Sequence, residues 1–259
     1  MTIERPLSRR KLFADAGKVV AGFALGGLLG SRSAFQGKAE EAPEWPWPYV
    51  QLDLERVAAR GYEGYYEHHC AYGAFEAIIG ELREKIGYPF TLIPTELMAY
   101  GAGGVAGWAS LCGGLNGAYA AINLVAKDYK PLVHELTGWY TQAPMPLYKP
   151  SNPRVEIPEI TSVAGTTLCH TSVTHWCKVT GFASGSKERS ERCARLTAQV
   201  AAKAAELLNK YHAGEFTPEF TLPAEVEGCR TCHHKGKNYE QGQFTRGKEN
   251  CLLCHEPHM

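Results

Sequence analysis

Apolar positions recur three or four residues apart from Asp53 to Ile86 with few breakers, which predicts one long helix ended by Gly87-Tyr88-Pro89. A Gly-rich stretch, Gly101-Ala102-Gly103-Gly104-Val105-Ala106-Gly107, leads into a second predicted helix, about Trp108 to Ala126. Ser162 to Lys178 predicts a third, weakened by its threonines. Ser190 to His212, rich in Ala, Leu, Lys and Glu, is the clearest helix, and Gly214 is placed to cap it. Pro144, Pro146, Pro150, Pro153 and Pro158 make residues 141–160 a loop. No segment alternates with period two over a useful length. The expected fold class is mainly α, with a helical cysteine-containing domain over 40–215 and a short irregular C-terminal segment over 216–259.

Residues 1–39 belong to neither part. Ser8-Arg9-Arg10-Lys11-Leu12-Phe13 precedes an apolar run, Val19 to Leu29, that three glycines dilute. Eleven such residues are too few for a bilayer core that needs about twenty, so no stable membrane span is expected in the mature chain. The paired arginines and the weakly apolar run resemble a twin-arginine export signal, with cleavage placed after Ala39 and a periplasmic destination. A basic cytosolic helix is the alternative. The 259 residues carry 27 basic and 27 acidic groups. Without the first 39 the chain keeps 20 and 25, and this mildly acidic balance argues against nucleic acid.

The chemistry sits in nine cysteines and ten histidines. Cys229-Arg230-Thr231-Cys232-His233 and Cys251-Leu252-Leu253-Cys254-His255 are both C-x-x-C-H. This spacing lets two thiols add to the vinyl groups of one porphyrin while the adjacent histidine binds its iron. A zinc site built from two C-x-x-C pairs would leave both histidines unexplained. Two haem c groups per chain are therefore expected, with thioethers at Cys229, Cys232, Cys251 and Cys254 and proximal ligands His233 and His255. The tail has very few aliphatic residues, so the haems would supply its apolar interior. Cys251 follows His233 by eighteen positions, so the two haems must lie close together.

Each iron needs a sixth ligand. Histidines outnumber methionines in the mature chain, which favours bis-histidine ligation, and the distal candidates are His69 and His68, then His175 and His170. On a continuous helix His68 and His69 would point roughly 100° apart. Cys70, Cys112, Cys169, Cys177 and Cys193 are left over. Disulfides are the default in an oxidising compartment, but five is odd. Haem is attached outside the membrane, so a folded-cargo export route points instead to a cluster assembled inside, held by four thiolates. Cys70 is read as mid-helix with Gly73 and Ala77 on its face. Cys169 and Cys177 on one helix would stand roughly 12 Å apart, too far for one two-iron cluster. Cys169 is kept as ligand and Cys177 as the spare.

Cys70-Ala71-Tyr72-Gly73, then Gly101 to Gly104 leading to Cys112-Gly113-Gly114-Leu115-Asn116-Gly117-Ala118, then Gly165-Thr166-Thr167-Leu168-Cys169 and Cys193, resemble the C-GCAxxG-C-C family of helical redox proteins. With two C-x-x-C-H motifs appended, the chain resembles the split-Soret cytochromes c of sulfate-reducing bacteria over nearly all its mature length. It departs from the pattern at Gly113-Gly114, where Gly-Ala is usual, and in the additional Cys177. The resemblance implies a homodimer whose four haems gather at one end and pair by stacking, with bis-histidine ligation and one histidine reaching across from the partner subunit. It also implies an iron–sulfur centre, (2Fe-2S), in the helical body. On this chain the crossing histidine falls at His68 or His69, next to Cys70.

The expected function is periplasmic electron transfer with redox partner proteins, for which a tail with five basic residues and three glutamates would suit an acidic partner. The alternative is an oxidoreductase that reduces a small substrate at the body's cysteines. No dinucleotide-binding fingerprint is present.

Overall fold

The computed structural model describes residues 43–234 and 245–258. The signal read over 1–39 lies outside the described residues, as do Lys235 and Lys237 of the tail.

Asp53 caps helix α1 (Leu54–Ile86), its carboxylate accepting from the backbone N–H of Glu55 at 2.9 Å and of Arg56 at 3.2 Å. The run is not one rod. His68 (φ −138°, ψ 28°) and His69 (φ 67°, ψ −168°) leave helical geometry, and the chain doubles back into two antiparallel arms, 54–67 and 70–86. Arg56 pairs with Glu81 at 3.0 Å and with Glu84 at 2.7 Å, partners that a straight helix would hold about 40 Å away. Arg60 joins the same ladder through Glu76 and Glu81. The arms touch backbone to backbone. A Cβ on Gly73 would lie 2.7 Å from the Tyr65 nitrogen and 2.8 Å from the Gly61 oxygen, so no other residue fits there. Periodicity alone could not reveal the turn, because the two residues that make it are histidines rather than Gly or Pro.

The second arm packs on α2 (Gly113–Val125) and on α5 (Lys187–Ala213), sharing a core with Ile78, Ile79, Leu82, Leu115, Ile122, Val200 and Leu208. Contact with α2 is close: a Cβ on Gly117 would meet the Ala71 oxygen at 2.1 Å. Ser186 caps α5 through the Arg189 N–H at 3.1 Å, and Gly214, at φ 75°, closes it.

Helix α2 starts at Gly113 rather than near Trp108 because residues 109–112 pair with 167–170. Leu111 bridges Leu168, the Cys112 N–H donates to the Thr167 oxygen at 2.9 Å, and the Cys169 N–H to the Ser110 oxygen at 2.7 Å. Helix α3 (Tyr129–Gln142) was not anticipated; Leu132, Leu136 and Tyr140, four apart, seal the core with it. Within the predicted loop, β1 (Pro144–Met145) pairs antiparallel with β2 (Ser162–Val163), so the third helix, α4 (Cys169–Thr180), begins seven residues later than expected. Helix α6 (Ala224–His233) and a 3-10 turn (Cys251–Leu253) form the described tail.

Candidate metal centre

Four cysteines sit at or near helix N-termini. Cys70 opens the second arm of α1, correcting its mid-helix placement; Cys112 is the N-cap of α2; Cys169 is the first residue of α4; Cys193 lies in the second turn of α5. A helix N-terminus favours negative charge, so the fold presents several partial positive poles to the thiols. The backbone that brings Cys70 to Cys112 is tight. A Cβ on Gly113 would fall 2.3 Å from the Cys70 sulfur. Above it, Gly103 to Gly107 run with φ between 48° and 79°, a left-handed turn in which Val105 and Ala106 are strained, and the Gly103 N–H reaches the Cys70 sulfur.

The thiols feel one another. Burial, and then the charges of Cys112 and Cys193, push Cys70 up to about 12. Burial followed by the same two partners does the same for Cys169, with Arg192 and Arg189 pulling it down. Burial raises Cys112, which is 6% exposed. Cys177 stands apart. Among cysteines only Cys193 acts on it, and it lies two turns along α4 from Cys169. None of the nine cysteines is in a disulfide. Among the described residues no three His, Cys, Asp or Glu side chains converge on a single-ion site. Cys70, Cys112, Cys169 and Cys193 nevertheless each lie within electrostatic reach of the other three.

One charged donor is buried here with an atom left unbonded. Arg192 is 1% exposed; it donates to the Ser172 hydroxyl at 2.9 Å and approaches the Cys193 sulfur at 3.9 Å, but its Nε bonds nothing. No carboxylate pairs with it among the described residues. The Tyr140 hydroxyl, fully buried, lies within hydrogen-bonding reach of the Cys112 thiol and the Ser172 hydroxyl. A buried guanidinium without a counter-charge costs several kcal/mol (about 3–5 when a buried pair is broken). An anionic centre held by thiolates fits this donor set.

In the tail, Cys229 and Cys232 fall on one face of α6, and the second motif forms its own turn, with the His255 N–H donating to the Cys251 oxygen at 2.9 Å. The two motifs lie side by side: the free Cys229 thiol is within hydrogen-bonding reach of the free Cys251 thiol, and the His233 ring meets His258 at 5.7 Å. A cavity of about 400 Å³ opens between α3 and the tail. Val133, Phe220, Leu222 and Val226 wall it, and Lys130 and Lys248 line it as well, a pairing that suits an apolar ring bearing carboxylates.

The family model of the redox-active C_GCAxxG_C_C proteins matches residues 69–207. The split-Soret cytochrome c of Desulfovibrio desulfuricans is 33% identical over 267 residues, which cover 96% of this chain and 94% of the relative. The chain belongs to the split-Soret cytochrome c family. A solved structure of the Desulfovibrio desulfuricans split-Soret cytochrome c, described for its novel iron centre, aligns with a TM-score of 0.74 at 35% identity, covering 82% of this chain and 91% of that one. The mainly helical architecture is thus that of the split-Soret cytochromes, and membership makes this a redox protein. No described helix is long and apolar enough to cross a membrane.

The histidines of this split-Soret family member divide by exposure. His68 and His69 project from the hairpin tip, exposed, with His68 against Tyr72 at 4.9 Å and His69 against Tyr65 at 5.8 Å. Their separation comes from the break in the backbone, not from helical rotation. His170 is exposed beside Cys169, whereas the His175 Nδ1 is engaged with the Val163 oxygen at 2.9 Å. His134, which the sequence reading passed over, lines the cavity on α3 and packs on Phe220 at 5.1 Å. The four-residue spacing of Leu132, Leu136 and Tyr140 was the signal that could have placed it on a helix.

Proposed function

We propose that the protein carries electrons in the periplasm as a homodimer, with two haem c groups per chain and one (2Fe-2S) cluster. Cys229, Cys232, Cys251 and Cys254 would form the thioethers, and His233 and His255 would be the proximal ligands. Cys70, Cys112, Cys169 and Cys193 would hold the cluster. Bound there, these groups would accept and release single electrons. The observation that carries the reading is the buried Arg192 guanidinium, with no carboxylate to balance it among the described residues and its Nε unbonded, beside thiols at or near helix N-termini. The side-by-side C-x-x-C-H motifs support two haems within electron-exchange distance of each other. His68 and His69 are exposed at a tip, free of the core, which suits a ligand offered to a partner subunit. Export by a twin-arginine route agrees with a cluster that must travel inside a folded body.

The test is an optical spectrum of the purified oxidised holoprotein read with its iron-to-haem ratio. Low-spin bands, a doubled main band and about four irons per two haems, with acid-labile sulfide, are expected. Two irons per chain without sulfide would reject the cluster. High-spin haem would favour the oxidoreductase alternative, in which a small substrate is reduced at the body's cysteines.

A further inference from the structure

Among the described residues Glu135 of α3 ties the start of the tail to the body, accepting from the Glu219 and Phe220 N–H groups at 3.0 and 2.9 Å, and a second carboxylate ties the haem-motif end. The Glu249 carboxylate accepts from the Thr167 N–H, at 3.2 Å on Oε1 and 3.3 Å on Oε2, and from the Thr167 hydroxyl. Glu249 lies two residues before Cys251 of the second haem motif. Thr167 lies two residues before Cys169, and its carbonyl accepts the Cys112 N–H at 2.9 Å. An apolar contact flanks the same point on the other side of Cys251. Gly165, at φ 71°, leaves the space that Leu253 fills, since a Cβ there would stand 3.3 Å from the Leu253 Cδ1.

One threonine therefore touches both cofactor sites. Its carbonyl holds the N-cap thiol residue of α2, and its N–H and hydroxyl hold the residue leading into a haem motif. Both donors go to one carboxylate, which fixes the approach direction as a single bond would not. The backbone from Cys112 through Thr167 to Glu249 and Cys251 is a chain of covalent links with two hydrogen-bond crossings.

We propose that Glu249 is a latch: a positioning residue that docks the haem-bearing tail onto the cysteine-bearing segment through Thr167, and that the chain Cys112–Thr167–Glu249–Cys251 is the bonded route joining the two redox sites. The route rests on the cluster reading above; the docking does not. The exchange it serves moves one electron, with one iron oxidised and another reduced and no bond made or broken.

The experiment uses the holoprotein and the variants Glu249→Ala, Glu249→Gln, Thr167→Val and Thr167→Ser. Hydrogen exchange at the Thr167 amide reads docking. Glu249→Ala should speed it at least tenfold, and Glu249→Gln, which keeps an acceptor oxygen, should recover much of the protection. Flash reduction by a photo-excited one-electron donor reads the route. Electron exchange between cluster and haem should fall at least tenfold in Glu249→Ala and Thr167→Val and return in Thr167→Ser, with the spectrum and potential of each centre unchanged. Unaltered amide exchange in Glu249→Ala would overturn the latch. Faster amide exchange with unaltered electron exchange would overturn the route. If Glu249→Ala fails to mature, Thr167→Val, which leaves the tail sequence intact, decides the route and Glu249→Gln the docking. An unaltered protein lacking cluster iron, yet showing the amide effect, would instead reject the cluster and leave the docking standing.

Discussion

Arg192 sits in the body's interior with one hydroxyl, one distant sulfur and no carboxylate to balance it. Such a charge destabilises a chain that has nothing anionic to offer, and stabilises one that does. Arg192→Met should therefore act with opposite signs on the two forms. Without the cluster, the variant should be at least as stable to heat as the parent. With it, iron should be retained less well, and the cluster potential should drop by about 60 mV or more, a tenfold change for a one-electron couple. Equal destabilisation of both forms would mean the guanidinium is structural. His212 gives a second test. Its ring stacks on Tyr49 at 4.3 Å and bonds the Val125 oxygen at 3.1 Å, and burial holds its pKa below the ordinary value. His134 is lowered too, by burial first and then by Lys248. The unfolded chain takes these protons first, so the stability present above about pH 6.5 is lost as pH falls through the folded values. The melting temperature should drop as pH falls below about 6.5, and less steeply in His212→Gln. At this scale the sequence was legible wherever residue identity carries the chemistry, as in the two C-x-x-C-H motifs. Arg192 was silent, since only burial makes an arginine unusual.

The hairpin of α1 is the element where strain and function meet. His69 holds φ 67° with ψ −168°, a conformation close to exclusive to glycine, at a cost of about 1–3 kcal/mol. His69→Gly should raise the thermal stability of the haem-free chain by a fraction of that. If His69 is a sixth ligand, the same change should turn one haem high-spin, and a gain in stability with an unchanged spectrum would transfer the role to His68. Gly73→Ala works the other way. Its methyl would meet the Tyr65 backbone, so a loss of about 1–3 kcal/mol in a denaturation curve is expected. The helical period of residues 53–86 was plain in the sequence, but reversal at two histidines was not, because no breaker marks it. Nor was α3 read, with Pro131 and Gly138 interrupting its pattern although Pro131 lies in the tolerant first turn. The start of α4 was misplaced for a different reason: Ser162 and Val163 pair with Pro144 and Met145, a contact that no local pattern encodes.

Across the whole molecule the cysteines form two sets that should be separable. Replacing Cys70, Cys112, Cys169 or Cys193 by serine should lower iron per chain while leaving haem absorbance intact. Cys177→Ser should leave both as they were, because Cys177 is set apart along α4. Iron analysis of the five variants checks the division, and loss of iron in Cys177→Ser would move it into the ligand set. The sequence already put the four residues on four predicted helices, but not the close contact at glycines such as Gly113 and Gly117 that brings α1 and α2 together.

The turn at His68 and His69 also constrains which changes in length the chain can absorb. A residue inserted between His69 and Cys70 would rotate the following arm by about 100° against its partner. Gly73 would leave the notch beside Tyr65, and Cys70 would swing away from Gly113. In related chains the count of residues from Gly64 to Gly73 should therefore stay constant.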